Sequence, residues 1–484
     1  MPPKATAAPA EREVAVATTT RRQTHPNADL TRLLAEANLS HKALARLVNE
    51  RGRLAGVTLR YEHTSVTRWV NLGMVPRGRT PEFVAAVLAE RLGRPVSTDD
   101  IGMSTTSTPV PTMGLDFPRD PADAVRVAST YWRTPVDSRR RFLTTGFALG
   151  AYTTPVTRWL AKPATAATPP SAPVTSSARR VGRTDVDGLW AASEEARVWD
   201  SRFGGGHWQN SSITRCLQTQ AAPMLRGTYT EAVGRELFAA TAELSRVVGW
   251  AAFDAGHHDV AQRHFIQALS LARSTGDIET GCYVLTTMAL QAMLRGFPEQ
   301  AADMAEGAYE RGHGHAAPRV LAFAKLAEAR AHGRMKDRAA AGAALAQSEL
   351  LLDAVRPGAH DPQHLAYFTP ERLAADAIEI HRDLGQPQAA LRWNRLAEPM
   401  PASRFTRATG IRHAVLASSH VHAGDLDRAL TSADQALGIL STVKSTRAHA
   451  YLHTVTADLQ QWPRDPRVRD FAVRVHTVVG SPHK

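Results

Sequence analysis

The sequence predicts an all-α chain, with a small N-terminal helical unit followed by a long C-terminal array of paired helices. Three observations carry this. Outside a few Pro/Thr/Ser-rich stretches, apolar residues recur three and four apart instead of alternating. β-Branched runs bounded by hairpin turns are scarce. A glycine-led pattern also recurs through the C-terminal half, at intervals near 40 residues.

With 484 residues, 43% of them hydrophobic, the chain is expected to form two to four folded units. Residues 1–26, rich in Ala, Thr and Pro, read as an unstructured tail. The stretches 104–112 and 163–183 have linker composition. They leave folded segments at 27–103, 113–162 and 184–480. The middle segment reads as a helical connector with two helix-like runs, Pro121–Trp132 and Asp137–Tyr152, and no legible function.

In the first folded segment, Leu30, Leu33, Leu34 and Ala37 define one helical stripe. Ser40 stands where it can cap a second helix bearing Leu44, Leu47 and Val48. A third helix begins near Thr64 or Ser65, buries Val66, Trp69 and Val70, and stops around Gly73. A fourth starts at Thr80-Pro81, because proline needs no amide partner in a first turn, and it buries Phe83, Val84, Val87 and Leu88. Ser97–Asp100 marks a brief fifth.

This segment is also where the charge sits. The chain carries a net charge of +12, and between Arg21 and Arg94 there are 13 Lys and Arg against 6 Asp and Glu. A basic head on a near-balanced body fits a nucleic-acid module joined to something else.

Leu39-Ser40, Ala43-Leu44-Ala45, Ser65-Val66-Thr67-Arg68-Trp69 and Pro76 together resemble the XRE or Cro/repressor-type helix-turn-helix family, over about 75 residues. The resemblance implies that the third helix enters the major groove of double-stranded DNA. A reader needs an apolar side to hold its scaffold and polar or guanidinium side chains facing outward. With Val66, Trp69 and Val70 inward, helical periodicity turns Thr64, Thr67, Arg68 and Asn71 outward, with Ser65 beside them. Arg68 suits a guanine edge and Thr67 a thymine methyl or a phosphate. The family joins these helices by a few residues, whereas Glu50–His63 intervenes here. That insertion brings Arg51, Arg53 and Arg60 as candidate phosphate contacts, and Gly52 and Gly56 as turn formers.

In the C-terminal half, Gly256, Gly296, Gly385 and Gly424 are each followed at five and twelve residues by alanine. Gly333 fits with one extra residue, giving Ala339, Ala343 and Ala346. Glycine ends the first helix of a pair, and small residues let the second approach its neighbours. Gly249, Ala289 and Ala417, seven before their glycines, serve the same close crossing, while Leu326 and Ile378 break the rule. The pattern resembles the tetratricopeptide repeat, although the glycines are 40, 37, 52 and 39 residues apart against ~34 in that family. The resemblance implies an α-solenoid whose concave face holds a peptide or a protein. Glu243, Arg246, Tyr283, Thr286 and Arg372, with Ala375, lie thirteen and ten residues before the glycines and are the candidate partner contacts.

The two modules together, with Asp185–Leu189 and Gly249–Gly256, resemble actinomycete NsdA-like regulators. That resemblance implies negative control of development and secondary metabolism, through a regulator that dimerises or binds a peptide or protein signal. The alternative is an adaptor of tetratricopeptide type that sequesters another protein without binding DNA.

Other classes find no support in the residues. Phosphate loops, His-Glu-x-x-His and Gly-x-Ser-x-Gly are absent, so no enzyme and no cofactor is expected. His257-His258 and His313-Gly314-His315 lack partners at ligand spacing, so no metal is expected either. Cys216 and Cys282 read as two free buried thiols of a cytoplasmic protein. No apolar run suits a membrane span. Ser138–Leu143 looks like a twin-arginine export signal, but its place more than a hundred residues into the chain argues against that use.

Overall fold

A computed structural model describes residues 26–54, 57–76, 80–93, 96, 98, 100–103, 113–134, 146–161, 179–356 and 358–480. Its architecture is all-α, and the β-type pairing among the described residues is one isolated bridge between Arg180 and Thr228. Residues Met1–Val110 form one compact unit and Pro111–Lys484 a second. Residues 1–25 of the expected tail, the 104–112 linker, residues 163–178 of the second linker and the Ser138–Leu143 segment lie outside the described residues. No described helix is long and apolar enough to cross a membrane.

The first unit contains α1 (Ala28–Glu36), α2 (His41–Leu54), α3 (His63–Leu72) and α4 (Thr80–Leu92). Its core is the set that periodicity selects: Leu30, Leu33, Leu44, Val48, Val66, Trp69, Val84 and Leu88 are all buried. Asn27 fixes the start of α1. Its Oδ1 accepts from the Leu30 N–H at 2.9 Å, and its Nδ2 donates to the Ile101 and Gly102 carbonyls at 2.9 and 3.1 Å. Where a fifth helix was expected, the described residues around Thr98–Gly102 form turns. Helix α3 stops at Gly73, in the left-handed region at φ 58°.

The stretch expected as an insertion is partly helix, because α2 runs on to Leu54. Residues 57–62 then return along it in extended form. Asn49 holds this return from both sides, donating to the Tyr61 carbonyl at 2.8 Å and accepting from its N–H at 2.9 Å. Gly52 therefore serves close approach and not a turn. A Cβ there would lie 2.6 Å from Leu59 Cδ1. Gly56 lies outside the described residues.

In the second unit, α5 (Pro121–Arg133) is capped by Asp120, and a 3-10 turn (Leu149–Tyr152) leads into α6 (Thr153–Ala161). These segments share the core of the paired helices. Trp132, Tyr152 and Trp159 are among its largest fully buried side chains. Of the second expected connector helix, residues 137–145 lie outside the described residues and the rest is the 3-10 turn with three residues before it. The linker's last residues are ordered: the Val181 N–H donates to the Thr228 carbonyl at 2.9 Å. A long helix α7 (Arg183–Phe203) follows, then α8 (Ser212–Cys216), a π turn (Leu217–Ala221) and α9 (Ala222–Met224). Cys216 and Cys282 are both free and buried.

Six consecutive pairs complete the described unit. They are α10 (Glu231–Asp254) with α11 (His258–Ser274), α12 (Ile278–Leu294) with α13 (Pro298–Gly312), and α14 (Pro318–Arg334) with α15 (Arg338–Asp353). After these come α16 (Pro370–Asp383) with α17 (Pro387–Ala397), α18 (Thr406–His422) with α19 (Leu426–Leu440), and α20 (Thr446–Asp458) with α21 (Pro466–Val479). Gly256, Gly296, Gly385 and Gly424 sit in the intrapair turns at φ 68–89°. Asp277, Asp337, Asp425 and Ser445 cap helices that follow turns, each accepting from a backbone N–H three residues on.

The third pair departs from the expected register. Its left-handed turn residue is Lys336, at φ 64°, while Gly333 lies inside α14. Ala339, Ala343 and Ala346 are exposed. Counting from Lys336 instead places Ala341, Leu345 and Ser348 at five, nine and twelve, and all three are buried. The same shift puts buried Ala329 seven residues before the turn, so Leu326 is no exception there. Gly333 has a separate role where α14 crosses α16, since a Cβ on it would lie 3.3 Å from Ile380 Cγ2.

Candidate functional site

Helix α3 carries the candidate nucleic-acid face. Val66, Trp69 and Val70 are buried, and Tyr61 braces Trp69 edge to face at 5.0 Å between ring centroids. Tyr61 is in turn tied to α4 through its hydroxyl, 3.2 Å from Thr80 Oγ1. The opposite side of α3 presents Thr64, Arg68 and Asn71 to solvent, while Ser65 and Thr67 are half-buried. Thr67 is already engaged: its hydroxyl donates to the His63 carbonyl at 2.9 Å and lies 3.0 Å from His41 Nδ1 on α2. Of the three candidate phosphate contacts, Arg53 and Arg60 are exposed, whereas Arg51 is ion-paired with Glu90 of α4. Arg51 thus closes the unit's own structure.

The inner face of the array is built differently from the open groove that the repeat spacing suggests. The first helices of the pairs (α10, α12, α14, α16, α18 and α20) line one side, and α7 lies against that side. Ser201 Oγ donates to the Arg404 carbonyl at 3.0 Å, Arg407 of α18 grips Asp200 of α7 at 2.6 Å, and Arg197 donates to the His364 carbonyl. The segment 363–368 covers the same face, with His364 stacked on Trp190 at 5.3 Å and the Tyr367 hydroxyl 3.2 Å from that of Tyr283.

Glu243, Arg246, Tyr283 and Thr286 are consequently buried, not free as an open groove requires. Glu243 and Arg246 form a bidentate pair at 2.7 and 2.8 Å, and Arg246 lies over the Tyr283 ring at 4.4 Å. Burial alone would raise the Glu243 carboxyl, but the Arg246 guanidinium beside it holds it below the usual range. Arg246, Arg372 and Ala375 do line a partly open cavity, described below, and Glu243, Tyr283 and Thr286 do not. The thirteen-and-ten spacing therefore identifies the inner face, while the cover over it comes from segments outside the repeat.

Sequence reasoning missed the charged groups of this interior. Arg330 of α14 meets Asp376 and Glu379 of α16 at 3.1 and 2.7 Å, and Glu379 also accepts from Arg334 and from the Tyr451 hydroxyl. Burial pushes the Glu379 carboxyl up, and Arg330, Arg334 and Arg382 outweigh it and hold it far down. Asp254, fully buried at the end of α10, is ion-paired with Arg407 Nη1 at 2.9 Å and accepts from Arg447 Nε at 3.0 Å and the Gly205 N–H at 3.1 Å. The available signal was an Asp or Arg standing inside an otherwise apolar helix, as in Ala251-Ala252-Phe253-Asp254.

Among the described residues no group of three or more His, Cys, Asp and Glu is placed to hold a metal ion. Residues 30–104, which run from within α1 past the end of α4, match the family model of the SP15 N-terminal domain. No curated protein matches the chain.

Proposed function

We propose that the chain is a sequence-specific, DNA-binding transcription regulator of the cytoplasm, acting as a homodimer, in which α3 reads double-stranded DNA and the paired-helix unit receives a signal. The carrying observation is the division of α3 into a locked side and a free side. Val66, Trp69 and Val70 fix the helix, and Thr64, Arg68 and Asn71 face solvent, as do Arg53 and Arg60 of the same unit. Guanidinium and short polar groups on a braced helix are what base-edge and phosphate recognition require. The resemblance to NsdA-like regulators makes repression of development and secondary metabolism the expected output.

A gel-shift series tests this. Arg68→Ala should cost about 1–3 kcal/mol at the selected site and flatten sequence preference, whereas Arg53→Ala should weaken all duplexes alike and reduce the salt slope. Unchanged site preference in Arg68→Ala removes α3 as the reader. A full-length protein with no duplex affinity at low salt leaves the adaptor reading instead.

A further inference from the structure

Between α7 and the first helices of the pairs lies a cavity of about 150 Å³. Eight arginines and four carboxylates line it, together with apolar walls that include Trp250, Leu290, Phe323 and Ile411. Most of the arginines are satisfied. Arg330 and Arg372 share Asp376, and Arg407 spans Asp200 and Asp254.

Arg412 is the exception. It is 9% exposed, it forms no ion pair among the described residues, and its only hydrogen bond there is from Nη1 to Asn394 Oδ1 at 3.0 Å. Among the described residues its buried Nε has no acceptor, and neither have those of the lining residues Arg197 and Arg330. A buried cation that no described carboxylate pairs with directly, Glu398 acting only at longer range, is costly, and a cavity that concentrates such donors beside apolar walls is complementary to an amphiphilic anion.

We propose that this cavity binds a small organic anion, with a carboxylate or phosphate head against Arg412 and an apolar body about the size of a benzene ring. The volume sets the body, since a cavity of about 150 Å³ holds a single benzene-sized ring. A peptide is excluded from the same face because α7 and residues 363–368 cover it. The inference rests on no residue of the first unit and stands whether or not α3 reads DNA.

Isothermal titration and thermal shift on the full-length protein test it with four probes: benzoate, phenyl phosphate, benzyl alcohol and inorganic phosphate. At least one aromatic anion should bind one to one and raise Tm, at least tenfold more tightly than benzyl alcohol or inorganic phosphate. Whichever of the two anions binds better identifies the head. Arg412→Met should lose at least tenfold in affinity while its ligand-free Tm stays equal or rises, because the substitution removes an unpaired buried charge. Arg412→Lys, which keeps the charge, should retain part of the affinity and guards against a misfolded methionine variant. Binding by neither aromatic anion, equal binding of benzyl alcohol or inorganic phosphate, or wild-type affinity in Arg412→Met overturns the proposal.

Discussion

A single backbone angle decides the register of the third helix pair. Lys336 occupies the left-handed turn that glycine fills in the pairs before and after it. A non-glycine residue there costs about 1–2 kcal/mol, and glycine's extra freedom in the unfolded chain offsets about 0.5–1 kcal/mol of any gain. The left-handed penalty is the larger effect. Lys336→Gly should therefore stabilise the protein by about 0.5–1 kcal/mol in urea denaturation, despite losing the bond from Lys336 Nζ to the Asp383 carbonyl. A fall in stability would mean that this bond outweighs the backbone term. The same position explains why the third turn was misplaced in sequence. Lysine carries no signal for a positive φ, and Gly333, kept for its crossing with α16, offered a false one. Gly249 was legible for the opposite reason, because a Cβ there would come within 2.7 Å of Phe265, as close helix crossing demands.

Helices were legible wherever their ends and stripes are local properties. Ser40, expected as a cap, accepts from the Ala43 N–H. Asn27, Asp120, Asp277 and Asp425 accept likewise from first-turn N–H groups, as caps that the sequence leaves unassigned, and the buried faces follow the apolar period. Contacts between elements distant in sequence were not legible. Nothing in the α7 stretch announces that it covers the inner face, and nothing near Asp254 announces its partners, 153 and 193 residues on. Yet Asp254 joins the first inner helix to the last two. Arg407 comes from α18 and Arg447 from α20, while the Lys444 N–H bonds the Phe203 carbonyl at 2.9 Å at the end of α7. Asp254→Asn takes the counter-charge from half-buried Arg447 and one of two from buried Arg407, which keeps Asp200, so the cost should approach that of breaking a buried pair, about 3–5 kcal/mol. The variant should show that loss in Tm, with faster amide exchange in α18 and α20. An unchanged Tm together with unchanged exchange there would show that Asp254 is not what holds the array's ends together.

Across the whole molecule, half-buried histidines set how stability responds to acid. Burial pushes His258 down to about 4, helped by Arg295 and His257, and burial with Arg412 pushes His413 down to about 4. His364, His381 and His420 are lowered as well, each chiefly by burial. His360 alone is raised, through its bond to Glu279, and it is too exposed for that pair to weigh much. Among the histidines five groups against one set the sign, opposed among the described residues only by the Asp259 and Glu349 carboxyls, which burial raises. In the unfolded chain these histidines titrate near 6.5, so between about pH 6.5 and 4 the unfolded state takes up protons that the folded state refuses. Stability is then complete above that window and falls as the pH drops through it. Glu243, Asp254 and Glu379, depressed in the folded protein, add a second loss below the ordinary carboxylate range near 4. The urea midpoint should fall between pH 7 and 5 by the equivalent of about 2 kcal/mol, a conservative sum for partly buried groups. The drop should shrink in His413→Asn, and it should be carried by the unit that contains all five histidines. A midpoint that is flat over this range would mean that these side chains reach water, and that the helical array is less tightly closed than its packing indicates.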